Sequence, residues 1–195
     1  MKIPIDIDNL IGEYALQGVA EMASGFKFYG DFRFQFFYIY GASDRRAEGK
    51  FEILDNKLIL NGTKAAGQDF KLLQKKSHGK GYTLQINFDN KMFIRNVVCF
   101  FFGLNETITK ETEQNGIAVA DIEKCTRIEL IHSYFPDIPT VIDVNDEKCN
   151  FFEFTLNPSL EEVVFDKTML EFIENGFSCS NIYLFGENTA RFIKQ

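Results

Sequence analysis

Glu21, Asp44, Arg45, Arg46 and Glu48 are the densest group of ionisable side chains in the first half of the chain, and Tyr38 and Tyr40 stand just before most of them. Carboxylates beside an arginine fork and two phenols are residue types that hold a ligand. A guanidinium pairs bidentately with planar acceptors, and an aromatic ring supplies apolar area with a polar tip. If a curling sheet brings Glu21, Tyr38, Tyr40, Asp44, Arg45 and Arg46 to one mouth, they form a ligand-binding site. Glu21 and Asp44 also satisfy the residue types of glycoside hydrolysis, a chemistry that depends on a carboxylate separation no sequence spacing fixes. The plainer account is a turn capped by Asp44 with solvated ion pairs around it.

Other chemistry finds less support. His132, Ser133 and Asp137 lie close in sequence, yet no Gly-x-Ser-x-Gly elbow presents a nucleophile, and His132 reads as a strand-end residue bonded to a neighbour. Two histidines and four cysteines without a C-x-x-C pair do not make the usual metal-ligand sets. Gly79-Lys80-Gly81 is too short for a phosphate loop and precedes a strand rather than a helix. The expectation is no catalytic assignment, no metal and no cofactor. Cys99, inside Val97-Val98-Cys99-Phe100, reads as a small core residue. A bridge between Cys125 and Cys149 is expected only if the protein is exported.

The elements that position these residues are strands. In the run Phe32-Arg33-Phe34-Gln35-Phe36-Phe37-Tyr38-Ile39-Tyr40, every second residue is aromatic, which places one apolar face on a pleated ribbon. That face is read as core, the alternative being a pocket for an apolar ligand. Gly30-Asp31 closes a hairpin before this run, and Asp55-Asn56 closes a second between Gly49–Leu54 and Lys57–Leu60. Glu13–Met22 is assigned to a strand, because Gly18 weakens a helix interior. Further strands are expected at 69–74, 82–88, 97–102, 107–112, 116–119, 127–132, 140–144, 150–156, 162–165, 169–173 and 181–185. The strand at 97–102 is apolar on both faces, the pattern of a doubly covered strand. Phe135-Pro136-Asp137-Ile138-Pro139 is a rigid loop displaying apolar residues.

The chain has 195 residues and a net charge of −7. Residues 1–78 carry 11 Lys/Arg and 10 Asp/Glu, whereas residues 79–195 carry 10 and 18. An acidic second half disfavours nucleic acid, which requires clustered cations, and would steer a basic protein partner. No apolar run approaches the roughly 20 residues of a membrane helix, so no membrane span is expected. The first residues lack the apolar core of an export signal, so the expectation is cytoplasmic, or periplasmic or secreted if a leader has been removed.

Segment 97–135, centred on Lys110-Glu111-Thr112-Glu113-Gln114-Asn115-Gly116-Ile117-Ala118, resembles transthyretin-like or carboxypeptidase regulatory-like β-sandwiches. That resemblance implies a structural or adhesive role. Gly12-Glu13-Tyr14, the aromatic hairpin and Gly49-Lys50-Phe51 resemble lipocalin-like half-barrels. Glu21–Gly25 and Tyr40–Arg45 are also similar to segments of uncharacterised bacterial two-part proteins, which implies architecture alone. The fold expected is all-β, with a small antiparallel sheet or half-barrel at 10–76 and an immunoglobulin-like or transthyretin-like sandwich at 80–195. The hydrophilic stretch Lys75–Gly81 is the expected boundary. The function expected is non-catalytic: recognition of a protein partner through exposed strands and loops. An immunity-like partner of a basic toxin is one version of it. The alternatives are a carrier of a small apolar or carbohydrate ligand in the first sheet, and a hydrolase using Glu21 and Asp44.

Overall fold

The computed structural model describes residues 7–145 and 148–195, and the fold is all-β. The chain divides into two compact units, Met1–Ala65 with Glu161–Gln195, and Ala66–Leu160.

The first unit is a closed barrel of β1 (Gly12–Gln17), β2 (Met22–Phe28), β3 (Arg33–Tyr40), β4 (Ser43–Leu54) and β5 (Lys57–Gly62), completed much later in the chain. The second unit supplies β6 (Phe70–Lys76), β7 (Tyr82–Ile86), β8 (Val97–Gly103), β9 (Thr107–Glu111), β10 (Ile117–Ala120), β11 (Cys125–His132), β12 (Thr140–Asp143) and β13 (Phe151–Leu156). The barrel then resumes with β14 (Thr168–Ile173), β15 (Gly176–Cys179) and β16 (Ala190–Lys194). Each barrel strand pairs antiparallel with its neighbours, and β16 closes the ring against β1 through Tyr14↔Lys194 to Gln17↔Arg191. The topology is up-and-down, with the second unit inserted between the fifth and sixth barrel strands.

The aromatic alternation places Phe34, Phe36 and Tyr38 inside, where they are buried. Phe26, Phe28, Phe51, Phe165, Phe177 and Phe192 join them, and Tyr14 closes on Phe28 and Phe177. Eight strands leave an interior just wide enough for side chains, and these rings fill it. Phe32 and Tyr40 leave the pattern. Phe32 turns at φ 62° and Tyr40 is half exposed at the rim.

Short helices stop the barrel's ends. α1 (Ile7–Leu10) buries Leu10, whose carbonyl accepts the Tyr14 hydroxyl, and α2 (Ile182–Phe185) buries Leu184 and Phe185 at the opposite end. The strand expected at 181–185 is therefore a helix. The Asn181 side chain accepts from the N–H groups of Tyr183 and Leu184, an N-cap that satisfies otherwise orphaned donors. Residues 162–165 are not a paired strand either. They run beside the first half of β4, where Val163 N–H donates to Arg46, and Gly62 N–H donates to Phe165.

In the second unit, the sheets β10-β7-β13-β6 and β12-β11-β8-β9 enclose one core containing Leu84, Phe101, Ile128, Phe152 and Phe154. In β8 the inward Val97, Cys99 and Phe101 are fully buried, while Val98, Phe100 and Phe102 are half-buried. Asn115-Gly116 is a turn, with Gly116 at φ 75°, but it joins β9 and β10 of different sheets instead of closing a hairpin.

The hydrophilic stretch at 75–81 lies inside this unit, between β6 and β7, and not at its border. Asn150 holds it there, accepting from His78 N–H and donating to the Gly81 carbonyl. The charge asymmetry of the linear sequence is likewise redistributed, because the acidic segment after residue 160 returns to the barrel. The barrel unit carries 15 Asp/Glu against 11 Lys/Arg, and the inserted unit 13 against 10. The acidity is divided almost evenly, at −4 and −3. Among the described residues, no helix is long and apolar enough to cross a membrane.

Candidate functional site

The residues singled out in the sequence share a region but face different ways. Glu21 lies in the β1–β2 turn at φ 63°, and Tyr40 and Asp44 flank the β3–β4 turn at the same end of the barrel, all three exposed. Tyr38 and Arg45 are cross-strand partners that point inward. The Tyr38 hydroxyl donates to the Leu184 carbonyl at 3.1 Å, so α2 covers it, and burial pushes its pKa up against the opposing pull of Arg45. Arg45 is 1% exposed and donates from Nη2 to the Glu162 carbonyl at 2.8 Å, an oxygen that also accepts from Lys64 Nζ. These two cations fasten residues 162–165 to the barrel wall. Arg46 projects outward. An open mouth containing Tyr38, Arg45 and the exposed acids together is not what the alternation of strands builds, since Arg45 and its neighbours Asp44 and Arg46 must point to opposite faces.

The outward face of β1–β4 forms a cavity of about 740 Å3. Cross-strand register explains its contents. One row across the sheet reads Ala15, Gly25, Phe37 and Arg46, and the next reads Glu13, Lys27, Gln35 and Glu48. Thr63, Glu162 and Gln195 border it, with the inward Phe26, Phe36 and Ala47 of the same strands along its floor.

Gly25 is the position that shapes it. A Cβ there would lie 2.7 Å from the Phe37 ring and 2.8 Å from the Tyr14 carbonyl, so only glycine lets the ring lie down over β2. Phe37 stays 46% exposed, an aromatic surface resting on backbone instead of projecting from it. Beside it, Lys27 and Glu13 form an ion pair at 2.8 Å that holds the Glu13 carboxyl below its ordinary pKa. Of the expected site residues, only Arg46 lines this cavity. Gly25 in the interior of β2 was the sequence signal for the rest, because an interior strand glycine marks a close approach.

Of the Ser/His/Asp group weighed for chemistry, His132 and Asp137 are buried and bonded, while Ser133 is exposed. His132 is fully buried, its Nε2 3.2 Å from the Phe93 carbonyl and its Nδ1 accepting from Tyr134 N–H, so both ring nitrogens bond to backbone. Asp137 Oδ1 accepts from Ile138 N–H. Among the described residues no group of three or more His, Cys, Asp or Glu side chains is placed to hold a metal. The four cysteines are thiols, and burial pushes Cys99 and Cys179 up to about 12. Because the thiolate is the reactive form, iodoacetamide applied to the native protein alkylates the half-buried Cys149 first. Cys99 and Cys179 react only after denaturation, as peptide mass spectrometry will report; native labelling of either would contradict their burial.

No protein-family profile, curated protein or solved structure matches this chain.

Proposed function

We propose that this is a non-catalytic binding protein whose ligand lies in the cavity on the outer wall of the barrel. The observation that carries this reading is the Gly25–Phe37 pair, which sets a half-exposed ring flat on the sheet, with polar side chains around it, in a cavity of about 740 Å3. Small-ligand sites typically occupy roughly 300–1,000 Å3 and combine apolar contact with a few polar groups that fix orientation. The up-and-down strand order is the architecture shared by lipocalin-like carriers, which supports a carrier or recognition role. Such carriers hold ligand within the barrel, however, and here the interior is packed with aromatic rings. The outer wall is therefore where a ligand fits. The barrel is closed, and beside the cavity residues 162–165 lie along the first half of β4, which leaves little edge for an extended chain to pair with, so recognition rests on side chains.

Two-dimensional amide NMR of the labelled protein tests this reading, with oligosaccharides, a lysine-rich and a leucine-rich decapeptide, and dodecanoate added in turn. The expected result is that one class shifts the amides of Gly25, Phe37, Arg46 and Glu48 while its own signals stay intact. Shifts confined to other surfaces, or no shifts with any class, overturn the site. Conversion of an added compound identifies an enzyme instead.

A further inference from the structure

Resting on that reading of the groove, we propose that the ligand class is a neutral carbohydrate chain. Three observations converge on it. The first is the platform. A pyranose presents a flat face of C–H groups, and the ring of Phe37, backed by Gly25 and 46% exposed, is an aromatic face of matching shape with no side chain beneath it to displace.

The second is the flanking chemistry. Each sugar hydroxyl both donates and accepts, so its site needs donors and acceptors side by side. Gln35, which stands between Lys27 and Glu48 in the row beside the platform, offers its amide N–H groups while its Oε1 accepts from the Tyr29 hydroxyl at 2.6 Å, and the Glu48 carboxylate supplies the acceptor beside it. Arg46, the direct cross-strand partner of Phe37, adds a guanidinium fork.

The third is the charge balance. Glu13, Glu48 and Glu162 face Lys27 and Arg46 within the same cavity, and Glu13 and Lys27 already neutralise each other. With that pair discounted, Glu48 and Glu162 face Arg46 and leave one negative charge, so a strongly acidic ligand is repelled and a strongly basic one meets only a weak field. A fatty acyl chain would need a continuous apolar lining, and apart from Phe37 and Ala15 the outward side chains of these two rows are polar or absent. The closed barrel, with residues 162–165 along the first half of β4, also leaves a peptide little of the main-chain pairing on which strand-addition recognition depends.

Titration of the labelled protein with xylo-, malto-, cello- and N-acetylchito-oligosaccharides, each from the tetra- to the hexasaccharide, tests the proposal. At least one series is expected to bind with saturable shifts at Gly25 and Phe37. Phe37→Ala is expected to weaken that binding at least about tenfold, the scale of one lost aromatic contact, while Phe37→Tyr keeps it within about twofold. Arg46→Ala, an exposed change that leaves the platform in place, is expected to weaken binding as well, so a folding defect in Phe37→Ala does not leave the question open.

If no oligosaccharide shifts these amides while a decapeptide or dodecanoate does, the carbohydrate assignment falls and the groove stands. If nothing added shifts them, both fall. Oligosaccharide binding that Phe37→Ala and Arg46→Ala leave unchanged overturns the proposal too, since the sugar then sits elsewhere.

Discussion

Phe26→Ala lowers the stability of the barrel unit by about 3–5 kcal/mol, the loss characteristic of deleting a fully packed aromatic ring. The ring sits 4.6 Å from Phe36, 4.9 Å from Phe192, 5.3 Å from Phe177 and 5.8 Å from Phe28 and Phe165, centroid to centroid. These partners come from β2, β3, β15, β16 and the segment before β14. One side chain therefore ties the amino-terminal strands to the carboxy-terminal ones that close the barrel. Removing it leaves a void that stiff neighbouring strands cannot collapse into, so the cavity penalty adds to the lost burial. Phe26→Leu keeps much of the volume and is expected to cost less, about 1–2 kcal/mol. With two units in the chain, a single unfolding midpoint is not the right measure. Amide exchange resolved to β1–β5 and β14–β16 is, with β8 and β11 of the inserted unit as internal reference. A loss below about 1 kcal/mol for Phe26→Ala would mean that the barrel interior is not packed.

The strands of this protein were legible where one face is apolar. Phe34, Phe36 and Tyr38 announce β3, and Asp55-Asn56, both at positive φ, announce the turn after β4. Closure was not legible. Tyr14 meets Lys194 across nearly the whole chain, and alternation tells which face a residue takes without saying which distant strand it pairs with. β15 and β16 carry one buried phenylalanine each, Phe177 and Phe192, too little periodicity to mark a strand in isolation.

The same limit explains the domain boundary. Lys75–Gly81 has a linker's composition but serves as a connection within one unit, while the crossings at 65–66 and 160–161 carry only short turn signals, Gly67 and Asn157-Pro158, of the kind found between any two strands. It explains the site as well. Arg46 was visible as one charge in a cluster, but Gly25 and Phe37 stand beside it only through the register of three strands. Arg45 shows the reverse error. An arginine in a polar run reads as exposed, yet strand alternation turned it inward, where it fastens residues 162–165 to the wall.

Acidification from pH 7 destabilises the inserted unit through His132 before most carboxylates titrate. Burial holds the ring's pKa down to about 4 in the folded state, against about 6.5 when unfolded, and its contact with the Phe93 carbonyl offsets only part of that. Below pH 6.5 the unfolded chain therefore takes up a proton that the folded one refuses, and folding loses free energy steadily until the folded ring protonates near pH 4. The stabilisation is complete above the unfolded pKa and is lost across that window. A shift of this size corresponds to about 3 kcal/mol, and no compensating carboxylate interaction contributes to it. Protonation would also convert Nδ1 from acceptor to donor, breaking its bond from Tyr134 N–H while the ring is packed against Phe93 and Phe135. His132→Gln is expected to lower stability at pH 7, because an amide fills the site less well, but to remove the pH dependence between 6.5 and 4 that belongs to the imidazole. Urea unfolding followed by exchange of β8 and β11 amides at several pH values separates the two effects. The gap between wild type and variant should narrow as pH falls, and a gap that stays constant from pH 7 to pH 4 would show that His132 is not held neutral in the fold.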